Sequence, residues 1–422
     1  MKRLTHFVLF FLLSANLFSQ PQEKTGSVPS KSIFIEKDLI PSSHGSICIV
    51  SFRIPYSELV FVKNHEKFQT GITIDFDLKA NDQIFDRRTY TKSFSVSSYD
   101  STLSESDFFQ GFISFNPDKG DYCIFPYVKL ENNDQIIQLD TIKVELKNEV
   151  KGKVYNPVIV RKNPQTNCIN EAFELINYEN TIPYIGKNCQ LLIPVKDSTV
   201  SLSEVRFERE NKTLFNKKLR GKEGQPLVFQ ECGNSVILQS NRNEKSTTYY
   251  YIEELNNYFK EGPLNIVIVD KDSAKYVFET KVYWSDKPRS LRNPELAIQL
   301  LAAIEKPETV DSLLSNSRKD YPEVIAKYWA SKNHYKSSTF NHLEMEFYKR
   351  ADYAVKEFTT LGVKNGGLSD RGIIYIRNGK PDEIKRGFND SSLAVEIWIY
   401  SRLNKEFVFV DKTGLGNFTL GK

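Results

Sequence analysis

Two periodicities divide the chain. From residue 32 to residue 148, apolar and polar positions alternate in short runs: SIFIEKDL, SICIVSFRIP, TGITIDFDLKA, YTKSFSVSS, GFISFNP, DYCIFPYVKL and DTIKVELK. Alternation of this kind predicts half-buried strands. Turn residues such as Asn81-Asp82 and Asp118-Lys119-Gly120-Asp121 punctuate them. About seven strands over roughly 115 residues predict an antiparallel, immunoglobulin-like β-sandwich. Residues 149–157, EVKGKVYNP, read as a linker. The alternation resumes over 158–285 in QLLIPV, EVRFERE, PLVFQE, SVILQS, TTYYYIEEL, LNIVIVD and YVFETKVYW, which predict a second sandwich. Tyr249, Tyr250 and Tyr251 alternate sides of such a strand, so at most two share a face, and a partly buried strand is the expectation rather than a sugar-stacking platform.

After Trp284 the period changes. Leu296, Leu300, Leu301 and Ile304 recur at helical spacing behind Asn293-Pro294, an N-cap followed by proline at the first helical position. A second helix is predicted through Val324, Ile325, Tyr328 and Trp329. A longer third is predicted from about Asn341 to Thr360, with a stripe of Leu343, Phe347, Ala351, Ala354 and Phe358. Alternation returns in GIIYIRNG, AVEIWIYSRL, EFVFVDKTG and NFTL, with hairpin-like turns at Asn404-Lys405 and Lys412-Thr413-Gly414. Residues 286–422 therefore predict an α+β domain, helices packed on a small antiparallel sheet.

The amino terminus adds a compartment. Lys2 and Arg3 precede the apolar run Phe7–Leu13 and the stretch Ser14-Ala15-Asn16-Leu17-Phe18-Ser19-Gln20, the layout of a cleaved signal peptide over residues 1–19. Residues 20–31 read as a flexible polar leader. No later stretch is apolar enough to span a bilayer as a helix. The expected location is the periplasm, the outer membrane or the cell exterior.

Charge excludes one class of partner. Lys plus Arg number 57 and Asp plus Glu 53, a formal charge of +4 that falls to +2 once Lys2 and Arg3 leave. So balanced a chain is not held to nucleic acid through phosphates. Aromatic residues reach 13%, 29 of them Phe and 21 Tyr, and these suit strands. Cys48 and Cys123 suggest an immunoglobulin-type bridge, but parity turns Cys48 inward with Val50, Phe52 and Ile54, and Cys123 outward from Tyr122, Ile124 and Val128. Cys168, Cys189 and Cys232 form an odd set without metal-ligand spacing and read as isolated thiols.

The mature chain, most strongly from about residue 284 onward, resembles the GWxTD-domain family of exported bacterial proteins. Gly366-Gly367-Leu368-Ser369-Asp370-Arg371-Gly372 is similar to the naming motif, with Gly367 at the tryptophan and Ser369 at the threonine. Gly379, Pro381, Asp382, Glu383 and Ile384 match a G-x-PDEI turn; Glu396, Ile397, Trp398 and Tyr400 match an EIWxY strand; Phe407–Asp411 with Gly414 and Gly416 match a closing hairpin. The resemblance implies amino-terminal sandwiches and export, and brings no reaction and no cofactor.

The chemistry is therefore weighed from the residues. Asp370, Arg371, Tyr375, Asp382, Glu383, Glu396 and Trp398 form the candidate functional surface. They could supply a carboxylate pair or a cation site. Alternatively they serve the fold, with Asp370 bonding backbone, Arg371 pairing with an acid such as Glu396, and Asp382 starting a Pro-Asp turn. The histidines beyond the leader, His44, His65, His334 and His342, lack metal-pair spacing, and no recognised hydrolase or nucleotide motif occurs in a fitting context. The basic run Lys217–Lys222 reads as a solvated loop. No catalytic residue, metal or cofactor is assigned. Two functions stay open: a non-enzymatic interaction or scaffold module with protein partners in the envelope, or a periplasmic hydrolase or ligand-binding protein using the carboxylates of the last domain.

Overall fold

The computed structural model describes residues 33–42, 45–80, 83–104, 107–116, 120–131, 136–145, 154–162, 172–176, 180–184, 189–195, 200–219, 227–240, 248–253, 255, 258–333 and 339–421. The expected signal peptide and leader, Cys168 and most of the 149–157 linker lie outside the described residues. The chain is β-rich, with several antiparallel sheets and its longer helices at the carboxy-terminal end.

The first segment holds β1 (Phe34–Ser42), β2 (Gly45–Pro55), β3 (Val62–Asn64), β4 (Lys67–Ala80), β5 (Gln83–Val96), a short α1 (Tyr99–Thr102), β6 (Phe108–Phe115), β7 (Asp121–Leu130), β8 (Ile136–Gln138) and β9 (Ile142–Glu145). One sheet runs β1-β2-β6; the other centres on β4 and β7. Leu39, Cys48, Val50, Phe52 and Ile54 meet Ile72, Ile74, Phe76, Ile124 and Val128 between them. The side-chain parity of Cys48 and Cys123 holds: Cys48 is buried, Cys123 is half-exposed, and both are thiols rather than a bridge.

The second segment holds β10 (Val158–Lys162), β11 (Phe173–Leu175), β12 (Thr181–Pro183), β13 (Gln190–Val195), β14 (Leu202–Arg209), β15 (Lys212–Lys218), β16 (Leu227–Cys232), β17 (Ser235–Ser240), β18 (Thr248–Ile252), β19 (Gly262–Asp270) and β20 (Lys275–Tyr283). The sheets run β16-β17-β11-β10-β13-β18 and β12-β20-β19-β14-β15, with one parallel pair, β12 and β20. Leu191, Ile193 and Tyr250 pack against Val205, Phe207 and Ile266. Tyr249 turns to the opposite face. Two expectations change here. Lys217 and Lys218 belong to strand β15, because they pair with Val205 and Glu204 of β14. Cys232 is disulfide-bonded rather than an isolated thiol.

A third core joins the two segments. Ile40 and Ile49, on the faces of β1 and β2 away from the first core, pack with Val158, Val160, Leu175, Leu192 and Phe229. The four sheets thus stack in series. Each strand of the two middle sheets can bury both of its faces, which explains why Ile47 and Ile49 interleave with Cys48 and Val50.

The last segment holds α2 (Pro294–Leu300), α3 (Pro307–Leu314), α4 (Tyr321–Lys332), α5 (His342–Phe358), α6 (Asp370–Asn378), and an antiparallel sheet β21 (Glu383–Phe388), β22 (Ala394–Tyr400), β23 (Lys405–Asp411) and β24 (Phe418–Leu420) in that order. Asn293 and Asn341 cap α2 and α5 by accepting from backbone N–H groups. The α5 stripe buries Phe347, Tyr348, Ala351, Ala354 and Phe358, whereas Leu343, in its first turn, is exposed. The run Gly372–Ile376, read from its alternation as a strand, is helical: Ser369 caps its start, Gly379 at φ +82° ends it, and neighbours surround it. Trp329, Tyr348, Trp398 and Phe409 share the core of this segment.

Candidate functional site

The glycine-rich segment is a joint between helices. Thr359 Oγ1 accepts from Gly366 N at 3.0 Å and Asn365 Oδ1 from Gly367 N at 3.0 Å. Ser369 Oγ donates to Gly366 O at 2.6 Å and accepts from Gly372 N at 3.0 Å, tying the turn to the first turn of α6. The glycines are fixed by contact. A Cβ at Gly366 would lie 2.4 Å from Thr359 N, and one at Gly372 would lie 2.0 Å from Gly366 O. At Gly367 a Cβ would meet Leu300 Cδ2 at 2.5 Å, so Leu300 and Val355 fill the space into which a larger residue would have to project.

Arg371 and Glu396 meet at the boundary of helix and sheet. Arg371 Nη1 donates to Glu396 Oε2 at 3.3 Å, Arg386 Nε to Oε1 at 2.9 Å, and Trp398 Nε1 to Oε2 at 3.2 Å. Both side chains of the Arg371–Glu396 pair are about nine-tenths buried, at 11% and 9% exposure. The guanidinium of Arg371 sits over the rings of Phe418 at 4.3 Å and Phe358 at 5.0 Å, and donates to Gly416 O at 3.1 Å. Burial pushes the Glu396 carboxyl up, but Arg386, Arg371 and Trp398 outweigh it and hold the group below its ordinary range. Asp411 behaves alike. Burial raises its pKa, and bonds from Gly416 N, Thr413 N, Thr413 Oγ1 and Gly414 N bring it below the usual value.

The remaining candidates disperse. Asp370 Oδ2 accepts from Leu420 N at 2.7 Å, fastening β24 to the start of α6. Asp382 Oδ2 accepts from Ser401 N at 2.8 Å, holding the turn before β21. Glu383 is exposed at the start of β21. Tyr375 stacks on Tyr353 at 4.4 Å and 16°, and burial raises its phenol to about 12. Gly379 O accepts from Tyr400 Oη at 2.8 Å, and Pro381 is buried beside it. The hollow of about 350 Å³ next to Asp370 is lined by Gly362, Asn365, Ser369 and Phe418, with Asp382, Glu383 and Glu396 outside its lining. Among the described residues, no group of three or more His, Cys, Asp or Glu is placed to hold a metal ion.

Larger hollows lie elsewhere, and two of them are lined by residues of more than one segment. One, about 780 Å³, is lined by Tyr184, Trp284, Lys287, Ile325 and Glu344 between the second sandwich-like segment and the helices. Burial pushes Glu344 to about 7, and the Lys287 charge opposes that only in part. The other, about 610 Å³, opens where all three segments meet, among Arg53, Arg161, Glu174, Asp286 and Lys349. Arg161 pairs with Glu174 and Lys349 with Asp286, while Arg53 donates to Gln110 Oε1 and Leu175 O. Neither hollow is foreseen from sequence, because each is assembled from segments with no local motif. A lone glutamate one turn into a helix, as Glu344 is, carries no pattern that separates it from a first-turn acid serving the helix dipole.

Compared with known families, residues 266–419 match the model of the GWxTD domain. The match begins within β19, ahead of the boundary at 286 expected from the change of periodicity. No curated protein matches the chain.

Proposed function

We propose that this chain, whose residues 266–419 match the GWxTD domain, acts outside the cytoplasm as a non-enzymatic interaction or scaffold module of the bacterial envelope. The carrying observation is the commitment of three of its four candidate acids, Glu383 being exposed at the start of β21. Glu396 is held by Arg371, Arg386 and Trp398, Asp370 by the backbone of β24, and Asp382 by the turn after β22. A general acid or base must be able to give up or take a proton at the operating pH. A carboxylate locked by two guanidinium groups below its ordinary range is poorly suited to that. This arrangement favours the structural role of the motif over the hydrolase reading.

We read the stacked sheets as two immunoglobulin-like sandwiches that carry the last domain as a rigid tip. The charged start and apolar run Phe7–Leu13 support export. Mild cross-linking in intact cells of the native host, followed by purification of the full chain, is expected to recover the same partner protein from independent preparations. A chain that emerges consistently alone would refute the reading.

A further inference from the structure

The small carboxy-terminal sheet has two unlike edges. At one, β24 is three residues long and Asp370 takes up the N–H of Leu420. At the other, β21 runs six residues, Glu383–Phe388, every one exposed. Among the described residues β22 is the strand that pairs with it. An edge strand presents backbone N–H and C=O groups able to template another strand. Here the edge also exposes apolar surface, Phe388 at 79% and Ile384 at 38%. Ile384 lies opposite the buried Trp398 in register, so it borders the core of the sheet.

The charges along this edge have a centre of antisymmetry. The order is Asp382, Glu383, Ile384, Lys385, Arg386: two negative, one apolar, two positive. In an antiparallel pairing about Ile384, each residue faces the one equally far on the other side. Glu383 then opposes Lys385 of the second strand, Asp382 opposes Arg386, and Ile384 opposes itself. Both copies make the same contacts, as a two-fold isologous interface requires. The residues fall on the faces this needs. Asp382, Ile384 and Arg386 share the core-side face, and Glu383 and Lys385 share the other. Within one chain the charges are only partly engaged: Lys385 Nζ is 4.0 Å from Glu383, and Arg386, bound to Glu396 through Nε, remains 72% exposed in its side chain. Other registers lose the match. Pairing centred between Lys385 and Arg386 sets these two cations against each other.

We propose that the start of β21 is a self-association segment: two copies of this chain pair antiparallel through Asp382–Arg386, joining their sheets into one, with Ile384 at the two-fold axis. This goes beyond the partner-binding reading and stands or falls separately from it. Opposite charges directly across a strand pair stabilise it and like charges destabilise it.

Sedimentation of the full chain over a concentration series is expected to show a reversible monomer–dimer equilibrium. E383K and K385E, both at exposed positions, each set like charges across the pair twice and are expected to weaken the dimer about tenfold or more. Mixed together, the two variants should form a heterodimer, and the double variant E383K/K385E should dimerise again as the wild type does. A wild-type chain that stays monomeric into the millimolar range overturns the proposal, and so does a dimer unaffected by E383K and K385E. Capture of a different protein by a monomeric chain would sink self-pairing while sustaining the function proposed above.

Discussion

Glu344 and Glu396 show how burial of the same side chain leads to opposite outcomes. Glu396 is desolvated but receives two guanidinium groups and an indole N–H, so its ionised form is the one the fold favours. Its stabilising contribution is present above the ordinary carboxylate range and is lost as pH falls through its lowered value. Glu344 is desolvated with only Lys287 to offset it, and rises from 4.5 to about 7. The fold then holds a proton that the unfolded chain releases, so this residue's contribution declines as pH rises from about 4.5 to about 7 and stays low above that. Glu344→Gln should therefore raise stability at pH 8 by about 1–2 kcal/mol, and leave it nearly unchanged near pH 4.5. Urea unfolding of both proteins at the two pH values tests this; an equal difference at both would refute the raised carboxyl. The sequence makes Glu396 easier to foresee than Glu344. Arg371 with an acid in a neighbouring strand is a common pairing of residue types, whereas the surroundings of Glu344 come from Tyr184 and Trp284, far away in the chain.

The same limit shows in one element. In α6, exposure alternates along Arg371–Ile376 as it would in a strand, with Gly372, Ile374 and Ile376 buried and their neighbours less so. The cause is enclosure. Tyr375 stacks on Tyr353 of α5, Arg377 donates to Ala303 O, and Arg371 reaches Glu396 of β22, so no wide polar face remains to reveal the 3.6-residue period. The caps were the better signal, since Ser369 stands at the start and Gly379 at the end. By contrast α5, packed on one side, and strands β13 and β17 are where periodicity places them. If the joint before α6 depends on close approach as well as capping, the two terms separate by mutation. Ser369→Ala should cost about 1 kcal/mol, the loss of a cap. Gly372→Ala must displace Gly366 O from 2.0 Å and should cost roughly 2–3 kcal/mol. Chemical denaturation gives both values; a Gly372→Ala cost no greater than that of the cap would mean the backbone yields easily there.

At the scale of the molecule, alternation identifies strands but not how sheets stack. Ile47 and Ile49 lie on the face of β2 opposite Cys48 and Val50, and both faces are apolar. That pattern already hints at a strand covered twice. What covers the second face is decided by residues of a different segment, Val160, Leu175 and Phe229 among them, which no local pattern couples to β2. The shared core is bordered by polar bonds that cross it. Arg53 Nη2 donates to Leu175 O at 2.6 Å, Lys92 Nζ reaches Glu231 at 2.9 Å, and Asn234 Nδ2 donates to Tyr56 Oη at 2.7 Å. Two sandwiches joined only by a linker would unfold separately. With a packed apolar layer between them, opening either one exposes the other's surface, so the two segments should melt together. Ile49 is the residue on which to test this, being 2% exposed at the centre of that layer. Ile49→Asp puts a carboxylate among Val160, Leu192 and Phe229 without touching the core between β2 and β4, and burying an unpaired charge is costly enough to part the layer. Calorimetry of the wild-type chain is expected to show one transition for the β-rich portion, and the variant two, the lower shifted downward by several degrees. Two resolved β-rich transitions already in the wild type would mean that the shared layer contributes too little to couple the two β-rich segments.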